Sequence, residues 1–107
     1  MSTKSTSTPI RVQQKLIAFG SRIALARRAR ELSQIDLAQL ADVGVSTVAS
    51  LEAGHQGVSV GNLLKVLKAL ELLDQVDAWL LPQMDEAIID RGIRAVMPAF
   101  PKAGRRG

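Results

Sequence analysis

Cysteine and tyrosine are missing from this sequence; phenylalanine occurs twice, and tryptophan and histidine once each. Without cysteine there is no disulfide framework, no thiolate zinc site and no thiol nucleophile. A single histidine, His55, rules out a histidine metal cluster. No nucleophile stands beside a base, so neither catalysis nor a cofactor is expected. No stretch approaches the roughly 18 apolar residues that cross a bilayer. Segment 1–9 is rich in Ser and Thr, carries Lys4 and lacks the apolar stretch of a secretory signal. These absences lead to the expectation of a soluble, cytoplasmic protein without a membrane partner.

What is present suits one helical domain. The 107 residues are of single-domain length, and 47% are hydrophobic, enough for a core without metals or cross-links. With 3% aromatics that core must be aliphatic. The net charge of +4 and isoelectric point near 10.1 favour an anionic partner. The charge is segregated: residues 1–54 carry 7 basic and 4 acidic side chains, 55–90 carry 2 and 6, and 91–107 carry 5 and none. Basic regions around an acidic one argue against an indiscriminate polycation. The acids among residues 71–90 read as a solvated surface.

Residues 1–11 read as a disordered arm, where Ser and Thr compete with the backbone. From about Val12 the pattern is helical, with Leu16, Phe19, Ile23 and Ala26 on one stripe and Arg22, Arg28 and Arg30 largely off it. Ser33 is an N-cap with a carboxylate, Asp36, three residues on, which starts a short helix Gln34–Ala41. Residues 42–44 form a tight break, in which Asp42 and Gly44 tolerate unusual dihedrals. A third helix, Val45–Ala53, turns Val48 and Leu51 inward and ends at Gly54. Ser59 caps a further helix with Leu63, Val66, Leu67 and Leu70 on one face, and residues 73–81 continue the helical pattern up to Pro82. Gly92 weakens a helix over 83–97, and residues 98–107 form a flexible basic end. Nothing alternates with period two, so the expected class is all-α.

Residues 34–53, QIDLAQLADVGVSTVASLEA, compress helix, turn and helix into one short segment. Ala38 is small enough for a crossing, Val43 plugs the turn, and Val48 and Leu51 anchor the second helix. Its other face, Val45, Ser46, Thr47 and Ser50, is small and uncharged, suited to lie against base edges.

The run FGSRIALARRARELSQIDLAQLADVGVSTVASLEAG, continued by VSVGNLLKVLKALEL, resembles the lambda-repressor-like (Xre) helix-turn-helix family over about residues 16–73. Gly20, Ile23, Arg27, the Ser33–Gln34 pair, Leu37, Ala38, Val43, Ser46, Thr47, Leu51, Glu52 and Gly54 carry the likeness. The resemblance implies a five-helix bundle with a helix-turn-helix over residues 12–81, followed by an extension and basic tail over 82–107. It implies a sequence-specific transcriptional regulator of double-stranded DNA, nucleoid-associated, with Val45, Ser46, Thr47 and Ser50 facing bases. Gln34, next to Ser33, would fix the register on a phosphate. Gly44 and Ser46 would offer backbone N–H groups to phosphates. Arg27 and Glu52 would bridge the first and third helices as a structural pair. Asp42 and Glu31 stand where relatives commonly have glycine, and Val45 where many have a polar reader. Loop 55–57 lacks the usual basic residues, so phosphate grip falls to Arg22, Arg28, Arg30 and the C-terminal arginines.

A domain ending near Leu73 leaves an apolar surplus that includes Trp79, Leu80, Ile88, Ile89 and Ile93. The expectation is a homodimer face, since helix-turn-helix dimers span half-sites about 34 Å apart. The LLKVLKALEL segment also resembles that of HipB-like antitoxins, so an antitoxin that binds a toxin protein is the alternative. A helical interaction module without DNA binding is the third reading.

Overall fold

A computed structural model describes residues 7–92 and residue 95, which contain helices and no strand. Contacts divide the chain into two units, Met1–Asp74 and Gln75–Gly107.

In the first unit, α1 (Ile10–Ala29) begins inside the arm expected over residues 1–11. Proline fixes φ at Pro9, whose carbonyl accepts the Gln13 N–H at 2.9 Å. Tertiary bonds hold this turn: Gln13 Nε2 donates to the Gly54 carbonyl at 3.2 Å, and the Thr8 hydroxyl donates to the Gln56 side chain. A propensity argument sees none of these partners. Residues 1–6 lie outside the described chain.

The buried face of α1 is Gly20, Ile23, Ala24 and Arg27, whereas Leu16, Phe19 and Ala26 of the expected stripe are half-buried. The face is rotated because α1 packs on α3 where its side chain is smallest. A Cβ on Gly20 would overlap the Leu51 carbonyl oxygen and stand 2.7 Å from that of Glu52.

Helices α2 (Gln34–Ala41), α3 (Val45–Ala53) and α4 (Val60–Ala69) complete the unit. α2 packs on α3 and α4, and α3 on α1 and α4. Leu37, Val48, Val66 and Leu70 are fully buried, surrounded by Ile23, Ala24, Ala38, Ala41, Leu51 and Leu67. The core is aliphatic, as the composition requires.

All four helices end in the same way. One residue turns left-handed, and N–H groups fold back onto the last orphan carbonyls. Leu32 N–H bonds the Arg27 carbonyl at 3.2 Å, Val43 that of Ala38 at 3.0 Å, His55 that of Ser50 at 2.9 Å and Leu72 that of Leu67 at 2.8 Å. The left-handed residues are Glu31, Asp42, Gly54 and Glu71, with φ of 58°, 58°, 84° and 64°. Glycine adopts this conformation freely, while an ordinary L-residue loses about 1 kcal/mol. Asp42 has no Asx hydrogen bond to ease it; its carbonyl accepts Lys65 Nζ at 3.1 Å.

Glu71 therefore breaks α4, and the helical pattern expected to run to residue 81 continues as a short 3-10 segment, Leu73–Ala78. The second unit holds a 3-10 turn, Pro82–Met84, and α5 (Glu86–Arg91). The Asp85 carboxylate caps α5, accepting N–H groups of Ala87 at 2.9 Å and Ile88 at 3.2 Å, and α5 stops at Gly92. None of the described residues of this unit is buried. Among the described residues, no helix is long and apolar enough to cross a membrane.

Candidate nucleic-acid interface

α3 is held by one side and presented by the other. Val48 and Leu51 are buried, while Val45 and Ser46 are exposed and Thr47 and Ser50 half-buried. Period 3.6 makes this separation unavoidable once Val48 enters the core. The presented side has no charge to repel a phosphate. No side chain caps the start of α3 at Gly44, so the first N–H groups, Ser46 included, meet no side-chain acceptor there.

The start of α2 is closed by contrast. Ser33 Oγ accepts the Asp36 N–H at 2.9 Å, and Asp36 Oδ2 accepts the Ser33 N–H at 3.0 Å, a reciprocal capping box. The hydrogen bond from the Ser33 backbone is the chief reason the Asp36 carboxyl titrates below its ordinary range. Ser33 thus fixes where α2 begins, with its backbone N–H already engaged.

Beside that cap, a polar cluster ties three helices. Arg27 Nε donates to Glu52 Oε2 at 2.6 Å and a second guanidinium nitrogen to Oε1 at 2.9 Å, a bidentate pair with side chains 9% and 6% exposed. A third guanidinium nitrogen donates to the Leu32 carbonyl at 2.8 Å. Gln34 Nε2 donates to Glu52 Oε1 at 2.9 Å. A carboxylate only accepts, so it fixes which end of the Gln34 amide faces inward. Burial alone pushes the Glu52 carboxyl up. Hydrogen bonds from Arg27 and Gln34 and the charges of Arg27 and Arg28 outweigh it and hold the carboxyl below its ordinary value. The bond to Glu52 raises Arg27 further, against desolvation.

Of the arginines expected to grip phosphate, Arg28 is exposed and its charge reaches this cluster. Arg30, also exposed, folds back to donate to the Ala26 carbonyl at 2.8 Å, where a cation suits the C-terminal end of α1.

An open concavity of about 290 Å³ borders α3. Ser46, Thr47 and Ser50 line it from the helix, His55, Gly57, Val58 and Ser59 from the following loop, and Asn62 from α4. Asn62 is absent from the site expected on sequence, and His55 reads there as an ordinary loop residue. The local signal at Asn62 is only its place in the first turn after the Ser59 cap. Nothing local says that this turn borders α3.

The residues expected to meet a partner all lie in the second unit. Trp79, Leu80 and Ile89 are exposed and Ile88 is half-buried, while Ile93 lies outside the described residues. Among the described residues, no cluster of His, Asp or Glu is arranged to hold a metal ion.

A family model described as helix-turn-helix matches residues 23–73, from the second half of α1 through the end of α4. No curated protein and no solved structure matches the chain. The matched segment contains the capped α2, the left-handed turn at Asp42 and the outward face of α3. Residues 23–73 thus match the helix-turn-helix family, and the match supports a lambda-repressor-like fold and a DNA-binding regulator.

Proposed function

We propose that this protein is a homodimeric, sequence-specific transcriptional regulator that inserts α3 into the major groove of a palindromic operator. The observation that carries the reading is the uncharged outer side of α3, whose inner side is locked into the core by Val48 and Leu51. In this reading Val45, Ser46, Thr47 and Ser50 face base edges. Val45 meets thymine methyl groups, and the hydroxyls serve as short donors and acceptors. Gln34, held by Glu52, sets the register on the phosphate backbone, with Ser33 fixing the helix end that carries it. The uncapped N–H groups at Gly44 and Ser46 receive a phosphate, and Arg28 and Arg30 supply charge. Trp79, Leu80, Ile88 and Ile89, with Ile93 beyond them, form the contact between copies.

The direct test is Ser46→Glu. Gel-shift binding to duplexes enriched from a random pool is lost, while the helical circular dichroism stays at the wild-type level. Unchanged binding would overturn the assignment of α3. Sedimentation of the free protein reports the dimer. A monomer that forms a stable complex only with another protein would favour the antitoxin reading.

A further inference from the structure

Val45, Ser46, Thr47 and Ser50 share one deficiency: none carries two hydrogen-bonding groups on a stem long enough to grip a purine. The strong base contacts are bidentate, Arg or Lys with guanine and Asn or Gln with adenine. α3 by itself offers methyl contacts and single hydroxyl bonds.

The missing group stands next to it. Among the side chains lining the concavity beside Ser46, Thr47 and Ser50, only Asn62 carries an amide. That amide makes no hydrogen bond to any described residue; the Ser59 cap takes the backbone N–H of Asn62 at 3.1 Å and leaves the side chain alone. Among the described residues, the neighbouring His55, Ser46, Thr47 and Ser50 side chains likewise have no hydrogen-bond partner. The lining is open as well, for a Cβ on Gly57 would meet nothing within 4 Å. A concave surface in which every long polar group is unspent and every wall is short is shaped to take up the edge of another molecule.

The geometry points to Asn62 of α4 as the residue that reads an adenine in the operator, through its side-chain amide, at a base pair adjoining those faced by Ser46, Thr47 and Ser50. This inference rests on the proposal that α3 enters the major groove. It adds that sequence discrimination is shared between α3 and the first turn of α4, with α3 supplying shape and Asn62 the bidentate contact.

The test is selection from a random-sequence duplex pool with the full chain, comparing wild type with Asn62→Ala and Asn62→Arg. The Ser59 cap uses the backbone at position 62, and alanine is the better helix former, so thermal unfolding of Asn62→Ala stays at or above wild type. Wild type enriches a motif with a conserved A·T pair in each half-site. Asn62→Ala loses preference at that pair by about ten- to a hundred-fold and keeps it elsewhere. Asn62→Arg moves the preference at the same position to G·C, which a merely structural residue would not do. An unchanged Asn62→Ala motif overturns the assignment, and so does an equal loss across all sequences, the mark of a phosphate contact. If wild type enriches nothing and Ser46→Glu changes nothing, the DNA-reading role of α3 fails instead, and this inference with it.

Discussion

The two units of the chain solve the problem of apolar surface in opposite ways. Among the described residues, Met1–Asp74 contains all ten buried hydrophobic side chains, drawn from four helices that interlock around Leu37, Val48, Val66 and Leu70. In the second unit no described residue is buried, and Leu80 is 97% and Met84 78% exposed. The difference teaches that the first unit holds its shape through its own contacts. The second carries short elements, Pro82–Met84 and α5, none of whose described side chains is buried. Exposed apolar surface of this kind is costly in water, and in the proposed reading it is what a second copy would cover. The buried core and the exposed apolar side chains proposed to meet a partner therefore lie in different stretches of the chain.

The sharpest way to test that division is to damage the first unit. Glu52→Ala leaves Arg27 buried and unpaired and frees the Gln34 amide, so unfolding free energy falls by about 3–5 kcal/mol in urea titration. Gly20→Ala costs about 3 kcal/mol, because the new methyl meets backbone carbonyls that cannot turn aside. A value near zero for either would mean that α1 and α3 are not locked together.

Acid probes the same cluster without mutation. The folded-state pKa of Glu52 lies below the ordinary 4.5, so its contribution is fully present above pH 4.5 and disappears as pH falls through the lowered folded value. Wild-type stability declines on acidification below pH 4.5, and Asp36 acts in the same direction. Pairing Arg27→Met with Glu52→Leu removes the Glu52 part of that decline.

Smaller effects of opposite sign come from the helix ends. Glu31→Gly, Asp42→Gly and Glu71→Gly each relieve a left-handed non-glycine residue and raise stability by about 1 kcal/mol, less whatever entropy glycine adds to the unfolded chain. Their effects add, since the three turns are separate. Smallest of all is the second unit. Leu80→Ser and Ile89→Ser change the unfolding free energy of the first unit by less than about 0.5 kcal/mol. They shift sedimentation toward monomer if the exposed side chains join two copies. A large loss of stability there would erase the contrast between the units.

Much of the helix-turn-helix was legible because its signals are local. The Ser33–Asp36 box, the Asp42 turn and the Gly54 terminus lie within a few residues of what they act on. The boundaries Gln34–Ala41 and Val45–Ala53 are accordingly those the residues suggest. The buried face of α1 differs from its hydrophobic stripe because its contact surface is set by smallness, at Gly20, and by a paired charge, at Arg27, and neither registers as hydrophobic. The start of α1 is not legible locally because Gln13 and Thr8 find their partners in the distant turn after α3.

By itself the sequence determined where three of the first four helices begin, where the chain turns, that the core is aliphatic and which side of α3 is free of charge. These follow from caps, dihedral preference and helical period, all of which act over one or two turns. The tertiary structure alone decided that Glu52 grips Arg27 and Gln34 together, that Gly20 is the point of closest approach, and that Asn62 comes to stand beside α3. Those contacts join residues far apart along the chain, and their geometry exists only after the helices have packed.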